Sequence, residues 1–130
     1  MKEVYDFLRK CETYYLATVD GNKPRVRPFG TVAVFENKLY IQTGKIKNVS
    51  KQIKANPNVE ICAMTDGKWI RIEAVLVEDE RIEPKQYMLE VYPSLKSMYS
   101  VDDGNTQVLY LENATATIFS LTENPRTINF

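Results

Sequence analysis

Short segments rich in β-forming residues, each followed by a turn signal, place the strongest constraint on the fold of this chain. Tyr14–Val19 ends at Asp20-Gly21-Asn22, a sequence typical of a hairpin turn. Glu36-Asn37-Lys38 and Thr65-Asp66-Gly67-Lys68 separate later segments in the same way. A chain punctuated like this is predicted to form neighbouring antiparallel strands, and the first three are expected to form a meander.

Six strands and a few short helices follow from this pattern. The second strand, Arg25–Phe35, contains Pro28, which has no N–H to donate to a ladder and so marks an edge, a bulge or a break. The last strand, Thr106–Leu121, is expected to bend near Asn113, and Thr122–Phe130 to be a tail. Such content in a small domain favours a mainly β (α+β) fold, a closed or nearly closed antiparallel barrel. The other predicted elements are the strands Leu39–Thr43, Val59–Met64 and Trp69–Glu80, the helices Lys2–Glu12, Pro84–Tyr92 and Ser94–Tyr99, and a helix ended by Asn56-Pro57-Asn58.

The composition is that of one globular domain covering residues 1–130, with 44% hydrophobic and 26% charged residues. The chain has no histidine, which excludes a Ser-His-Asp or Cys-His catalytic site and an imidazole metal site. Its two cysteines, Cys11 and Cys62, are too few for a zinc cluster and are predicted to be inert buried thiols.

The N-terminal residues are charged and amphipathic, which is not typical of a signal peptide. No apolar run approaches the roughly 18 residues that a membrane-spanning helix needs. We therefore expect a cytoplasmic protein with reduced cysteines and no membrane partner.

The formal net charge of zero hides a local excess of positive charge. Between Gly21 and Val59 there are eight basic residues, and Glu36 is the only acid. A local positive field on a neutral chain favours a focused anion site over a surface that follows a nucleic acid. The simpler interpretation of any single lysine in this stretch is a solvated face.

The first motif that could carry chemistry joins a strand to a helix in the run QTGKIKNVSK, residues 42–51. A helix N-terminus offers unpaired N–H groups and the positive end of the helix dipole, which together accept phosphate. The run lacks the glycine spacing of a P-loop. It therefore predicts a phosphate anchor and not a nucleotide-hydrolysing loop.

Two further motifs place charged or aromatic side chains on one face of a strand. Arg25 and Arg27 point to the same side, which is unfavourable unless an anion or a polar ligand lies between them. Trp69 and Arg71 also share a face, which favours an interface or a stacking role. The alternatives are two solvated arginines on an edge strand and an ordinary core tryptophan.

Taken in order, the runs LATVDGNKPRVRPFG, LYIQTGKIKNVSKQIKANPNVEI and WIRIEA resemble the FMN-binding split barrels of the pyridoxamine 5′-phosphate oxidase-like superfamily. The short bacterial members near the nitroimidazole-resistance (Nim) proteins are the most similar. The resemblance implies a six-stranded antiparallel split barrel with a few flanking helices. It also implies a homodimer that binds two FMN molecules at the subunit interface.

The resemblance further assigns cofactor contacts to particular positions. Lys47, Ser50 and Lys51 would meet the FMN phosphate, which Arg25 or Arg27 would also approach. The backbone of Pro28, Phe29 and Gly30 would face the isoalloxazine. The ribityl chain or the ring would be held by Gln42 and Thr43, and the second subunit would supply Trp69 and Arg71.

The function that follows is a dimeric FMN-dependent oxidoreductase that reduces a small organic substrate with electrons from a nicotinamide donor. The flavin would supply the redox chemistry, and the protein position and electrostatics. The sequence shows no C-terminal Trp- and Arg-bearing segment of the kind that full-length pyridoxamine phosphate oxidases use, so we do not expect that reaction. The alternative is a protein that binds FMN, a deazaflavin or haem without turnover. Nucleic-acid binding ranks last, because few aromatic residues interleave with the basic stretch.

Overall fold

The computed structural model describes residues 1–130, and its eight strands form a single antiparallel sheet. The strand order is β2-β1-β5-β6-β7-β4-β3, with β8 paired to β7. The strands are β1 (Tyr14–Asp20), β2 (Lys23–Phe29), β3 (Ala33–Phe35), β4 (Lys38–Gly44), β5 (Asn58–Thr65), β6 (Lys68–Asp79), β7 (Thr106–Ser120) and β8 (Arg126–Asn129). The helices are α1 (Lys2–Cys11), α2 (Asn48–Ala55) and α3 (Ile82–Val91), followed by a 3₁₀ segment, Pro93–Ser97.

The two ends of the strand order are joined by a very short piece of chain. β2 ends at Phe29 and β3 begins at Ala33, so only Gly30–Val32 connects them. Because a residue spans at most about 3.6 Å, the two edge strands must lie close together, and the sheet must curl into a barrel. No ladder of hydrogen bonds pairs β2 with β3, so the barrel is split at this point. The predicted split-barrel fold is confirmed.

The core fills the inside of the barrel with side chains that alternate along each strand. In β6, Ile70, Ile72, Ala74 and Leu76 are buried, as the alternation predicts. The first two helices add their apolar stripes to the same cluster of 21 buried residues. In α2, the apolar inward residues are Val49 and Ile53, and Lys51 and Lys54 face outward.

Several sequence-based boundaries need correction. The predicted strand Arg25–Phe35 is two strands, because Gly30–Val32 leaves the ladder after Phe29 and crosses the split. The predicted tail contains β8, whose residues pair with Thr115–Ile118. The count is therefore eight strands and not six. The predicted helix Ser94–Tyr99 is the 3₁₀ segment Pro93–Ser97.

The interpretation of both cysteines as buried thiols was wrong. Cys62 is exposed, because the inward positions of β5 are Val59, Ile61 and Ala63, and the residue between the last two must point outward. Cys11, at the end of α1, is half-buried.

The long strand β7 bends at Asn113, as predicted. Asn113 has a positive φ of 53°, and the register with β6 shifts between Glu73 and Val75. A β-bulge of this kind increases twist and allows a long strand to follow a barrel wall. Asparagine tolerates the left-handed region better than most residues.

None of the three α-helices combines the length and the apolar character that a bilayer crossing requires.

A polar network ties α3 to the end of the sheet. Asp79 accepts hydrogen bonds from the hydroxyl of Tyr40 at 2.8 Å and from the guanidinium of Arg81 at 3.0 and 2.9 Å. Arg81 also donates to Glu36 at 2.6 Å. The hydrogen bonds from Arg81, joined by that from Tyr40, lower the pKa of the Asp79 carboxyl to about 2.

Asp79→Asn should remove part of the protein's sensitivity to acid. The pKa of Asp79 is lower in the folded than in the unfolded chain, so its stabilisation is complete above the unfolded value of about 4. It is lost as the pH falls towards 2, at a cost of roughly 2 kcal/mol in the free energy of unfolding. Urea midpoints at pH 5 and pH 2.5 should therefore differ less in the variant. Asp6→Asn, which removes an exposed ion pair with Lys2, is the control and should keep the original difference.

Candidate functional site

The split between β2 and β3 opens into a cavity of about 260 Å³, which we call the inner cavity. One wall is the end of β2 and the connection that follows it, and the other is the stretch just after α3. The floor comes from β4, and the start of α2 closes one end. The lining residues are Arg27, Pro28, Phe29, Gly30, Thr31, Gln42, Thr43, Lys47, Val49, Leu95, Met98 and Tyr99.

A second cavity, of about 840 Å³, lies between β2 and α2, and we call it the cationic groove. It shares Arg27, Lys47 and Val49 with the inner cavity, so the two form one continuous cleft. Arg25 and Lys51 also line the groove, which therefore has four basic side chains. One end of the cleft is thus cationic, and the other is largely apolar.

Most of this positive charge has no carboxylate partner. Arg25 pairs with Asp20 at 3.1 Å. None of the chain's other ion pairs includes Arg27, Lys47 or Lys51. Three uncompensated cations along one groove produce a positive field suited to a multiply charged anion.

Arg27 is held in place by neutral groups. Its guanidinium donates to the Thr18 hydroxyl at 2.8 Å, to the Gln52 side-chain oxygen at 2.6 Å and to the Leu16 carbonyl at 3.1 Å. Burial, followed by the charge of Arg25, lowers the pKa of Arg27. A guanidinium remains protonated in proteins, so the site keeps a fixed, oriented positive charge at the junction of its two parts.

The start of α2 adds partial positive charge to the same groove. Lys47 is the N-cap residue, no side chain caps the helix, and the first turn has no acidic residue. The first N–H groups of a helix have no partner within it. Because Lys47, Asn48 and Val49 line the groove, the positive end of the helix dipole lies beside it.

Gln42 is the most unusual residue of the inner cavity. Its side chain is only 6% exposed, and neither its amide nitrogen nor its amide oxygen has a hydrogen-bond partner. Its backbone is satisfied, since its N–H donates to the Thr31 hydroxyl at 3.0 Å. A buried primary amide without partners is costly unless a ligand supplies them. Gln42, at the lining of the inner cavity, therefore has a side-chain donor group and an acceptor that no group of the chain satisfies.

The structure brings nine of the twelve predicted contact residues together in this cleft. Phe29, Gly30 and Gln42 lie in the inner cavity with Pro28 and Thr43, whereas Arg25 and Lys51 lie in the groove. Arg27 and Lys47 belong to both.

The other three predicted residues lie elsewhere. Ser50 is buried, and its hydroxyl donates to the Gln107 side-chain oxygen at 2.7 Å, away from the cleft. Trp69 and Arg71 are on the outward face of β6, where Trp69 stacks on Phe119 with a centroid distance of 5.3 Å. Arg71 donates to Glu60 at 2.9 Å. Within one chain these two residues do not reach the cleft.

Sequence reasoning missed one wall and one anchor of the site. The missed wall consists of Leu95, Met98 and Tyr99, which line the inner cavity from a distant part of the chain. No local sequence pattern predicts that position. Gln52 anchors Arg27 and Thr18, and its only sequence signal is a polar residue between the lysines of α2.

Comparisons with known proteins show the family and the fold of the chain. The family model described as pyridoxamine 5′-phosphate oxidase matches residues 1–92. The chain belongs to the pyridoxamine 5′-phosphate oxidase family. Comparison with the curated proteins gave no match.

Solved structures of similar proteins match almost the whole chain. A NimC/NimA family protein from Clostridium acetobutylicum is 45% identical, with a TM-score of 0.97 over 100% of this chain and 92% of that one. General Stress Protein 26 from Bacillus anthracis is 21% identical, with a TM-score of 0.78 over 99% and 98% of the two chains. HutZ, a heme storage protein from Vibrio cholerae, is 20% identical, with a TM-score of 0.68 over 92% of each chain. The last two show a shared fold only.

Gln42→Leu should stabilise the protein in the absence of ligand. The variant keeps the volume of the side chain and removes a buried amide that has no partner, a change worth about 1 kcal/mol or more in the free energy of unfolding. Urea denaturation should show a higher midpoint with an unchanged slope.

Gln107→Leu is the matched control, because Gln107 is also 6% exposed but accepts a hydrogen bond from Ser50. That variant should be less stable than the unmutated protein, since it leaves the Ser50 hydroxyl unpaired. If both variants lost stability equally, the Gln42 amide would have a partner in the folded protein.

Proposed function

We propose that this protein binds FMN in the cleft and is an oxidoreductase that reduces a small organic substrate with electrons from a nicotinamide donor. The observation that carries the proposal is the polarity of the cleft. A partnerless amide lies at one end, and three cations without carboxylate partners lie at the other. FMN has the same polarity, because a heterocycle with hydrogen-bonding edges is joined to a phosphate dianion.

The residues divide naturally between the two parts of the cofactor. Lys47 and Lys51, together with the N-terminus of α2, would hold the phosphate, and Arg27 would lie beside it. Phe29 and Gly30 would pack against the ring, and the Gln42 amide would bond to its polar edge. When bound, the flavin supplies hydride and electron transfer, and the protein contributes binding, orientation and a fixed positive field.

We further propose a homodimer. The outward face of the sheet exposes apolar side chains, with Tyr15 51%, Val26 67% and Met64 66% exposed. Met64, Trp69 and Phe119 are direct cross-strand neighbours on this face. Exposed apolar side chains mixed with charged ones, such as the Arg71–Glu60 pair on the same face, are typical of an interface. Dimerisation would allow the partner subunit to bring its own copy of this strand towards the cleft.

A second candidate function is a carrier that binds FMN, a deazaflavin or haem without turnover. Met98 and Tyr99 line the inner cavity, and methionine and tyrosine are residue types that ligate haem iron. The visible spectrum of the purified protein, alone and after addition of each cofactor, separates flavin from haem binding. Loss of the flavin absorption under anaerobic NADH or NADPH separates an oxidoreductase from a carrier.

Lys51→Ala should weaken FMN binding by very roughly ten- to a hundredfold and leave riboflavin binding nearly unchanged. A charge-assisted hydrogen bond contributes about 1.5–3 kcal/mol, and riboflavin lacks the phosphate that would accept this bond. Fluorescence titration of the apoprotein with each ligand measures both dissociation constants. Alanine is the better helix former, so an unchanged or higher melting temperature would exclude a loss of stability as the cause.

Lys54→Ala is the control for that experiment, because Lys54 is exposed on the same helix but does not line the cationic groove. It should bind FMN normally. Lys47→Ala should behave like Lys51→Ala. Equal affinity of the unmutated protein for FMN and riboflavin would remove the phosphate anchor and most of this proposal.

Trp69→Ala should weaken both dimer formation and FMN binding. The change removes the aromatic pair with Phe119 from the centre of the apolar face. Light scattering over a range of concentrations measures the first effect, and fluorescence titration the second. Ile82→Ala, which truncates a side chain 54% exposed on α3, should alter neither. A mass of about 15 kDa at micromolar concentration with FMN present would contradict the dimer.

A further inference from the structure

A single side chain supplies the hydrogen bonds that join the two walls of the inner cavity. Tyr92 lies between α3 and the 3₁₀ segment, and the wall formed by Leu95, Met98 and Tyr99 begins three residues later. Its hydroxyl accepts a hydrogen bond from the Val32 N–H at 3.0 Å and donates to the Val32 carbonyl at 3.1 Å. Val32 directly follows the opposite wall, which ends at Thr31.

This pair of bonds replaces the ladder that the split barrel lacks. Val32 lies between β2 and β3, where no strand partner is available, and it is only 2% exposed. A buried N–H and carbonyl without partners would be costly. One phenol hydroxyl satisfies both, because it can donate and accept at the same time.

The ring of Tyr92 is itself oriented from a third element. The guanidinium of Arg9, on α1, lies 5.0 Å from the ring centroid, within the range of a cation–π interaction. A second tyrosine holds the same connection, since the Tyr14 hydroxyl donates to the Thr31 carbonyl at 2.6 Å. The connection Gly30–Val32 is therefore held by side chains from β1 and from the end of α3, and the second of these is itself contacted by α1.

We propose that Tyr92 is a positioning residue that sets the separation of the two walls of the inner cavity and thereby the affinity for the planar part of the ligand. Neither Tyr92 nor Val32 lines the cavity, so the effect passes through the walls that they join. The part of this proposal that concerns flavin affinity rests on the function proposed above. The walls would hold the ring, which FMN and riboflavin share, whereas the lysines would hold the phosphate, which only FMN has. A change that moves the walls should therefore weaken both ligands, and a change to the lysines should weaken FMN alone.

Tyr92→Phe should weaken FMN and riboflavin binding by the same factor, roughly three- to tenfold, the loss expected for hydrogen bonds of ordinary strength. Lys51→Ala should instead act on FMN alone. In the apoprotein, hydrogen exchange at the Val32 amide should be at least roughly tenfold faster in Tyr92→Phe, because that N–H has lost its acceptor.

Tyr40→Phe is the matched control, since it removes a buried tyrosine hydroxyl that donates to Asp79 outside the cleft. It should lower the melting temperature without changing either flavin affinity or Val32 exchange. If Tyr92→Phe does not fold, Tyr14→Phe tests the same connection through Thr31 and should also affect both flavins equally.

The possible failures are distinguishable. If the unmutated protein binds neither flavin, the proposed function fails, and Val32 exchange alone decides whether Tyr92 holds the walls. Unchanged exchange in Tyr92→Phe, a loss confined to FMN, or an equal loss of affinity in Tyr40→Phe would each overturn the proposal.

Discussion

The missing ladder between β2 and β3 is the constraint on which the rest of this structure depends. Seven strands follow one another by backbone pairing, but the sheet cannot close with the same bonds, since Gly30–Val32 crosses the gap without a strand partner. Buried backbone groups at such a point must be satisfied by side chains. The hydroxyls of Tyr14, Thr31 and Tyr92 meet that need, and each comes from a different part of the fold.

The same gap gives the cleft its chemical character. A closed ladder would fill this position with paired backbone and core side chains, whereas the split leaves a cavity beside β4 and α2. Gln42 is buried there without partners, and Arg27 is fixed at the junction by neutral groups only. Both arrangements lower the free energy of unfolding of the ligand-free protein. A ligand that supplies the missing partner offsets this loss. Such local conflicts with folding are expected at binding sites.

The sequence predicted the local features of this fold well and its long-range features poorly. Turn signals and alternation located most strands, and Asn113 marked the bend in β7, because these depend on neighbouring residues. Pro28 indicated an edge, a bulge or a break, but Arg25–Phe35 was still predicted as one strand, because the chain stays extended on both sides of the break after Phe29. Cys62 was placed in the core because β5 was recognised as a strand without fixing which of its faces points inward. Nine site residues lie in the cleft because two short runs of sequence supply them. The wall from Leu95 to Tyr99 could not be predicted, since it lies far along the chain from the end of β2 with which it lines the inner cavity.

Register in the β1–β2 hairpin links the cleft to the outward face of the sheet. Leu16 pairs with Arg27, and Ala17 pairs with Val26, so successive residues of β2 alternate between the two surfaces. A slip of one residue would exchange the faces to which the arginines and Val26 point, which would disrupt both surfaces together. The hairpin turn at Gly21, with its φ of +64°, prevents that slip by fixing where the two strands begin to pair. The positive groove and the apolar outer face are thus two consequences of one pairing register, and neither can be changed by sliding β2 without losing the other.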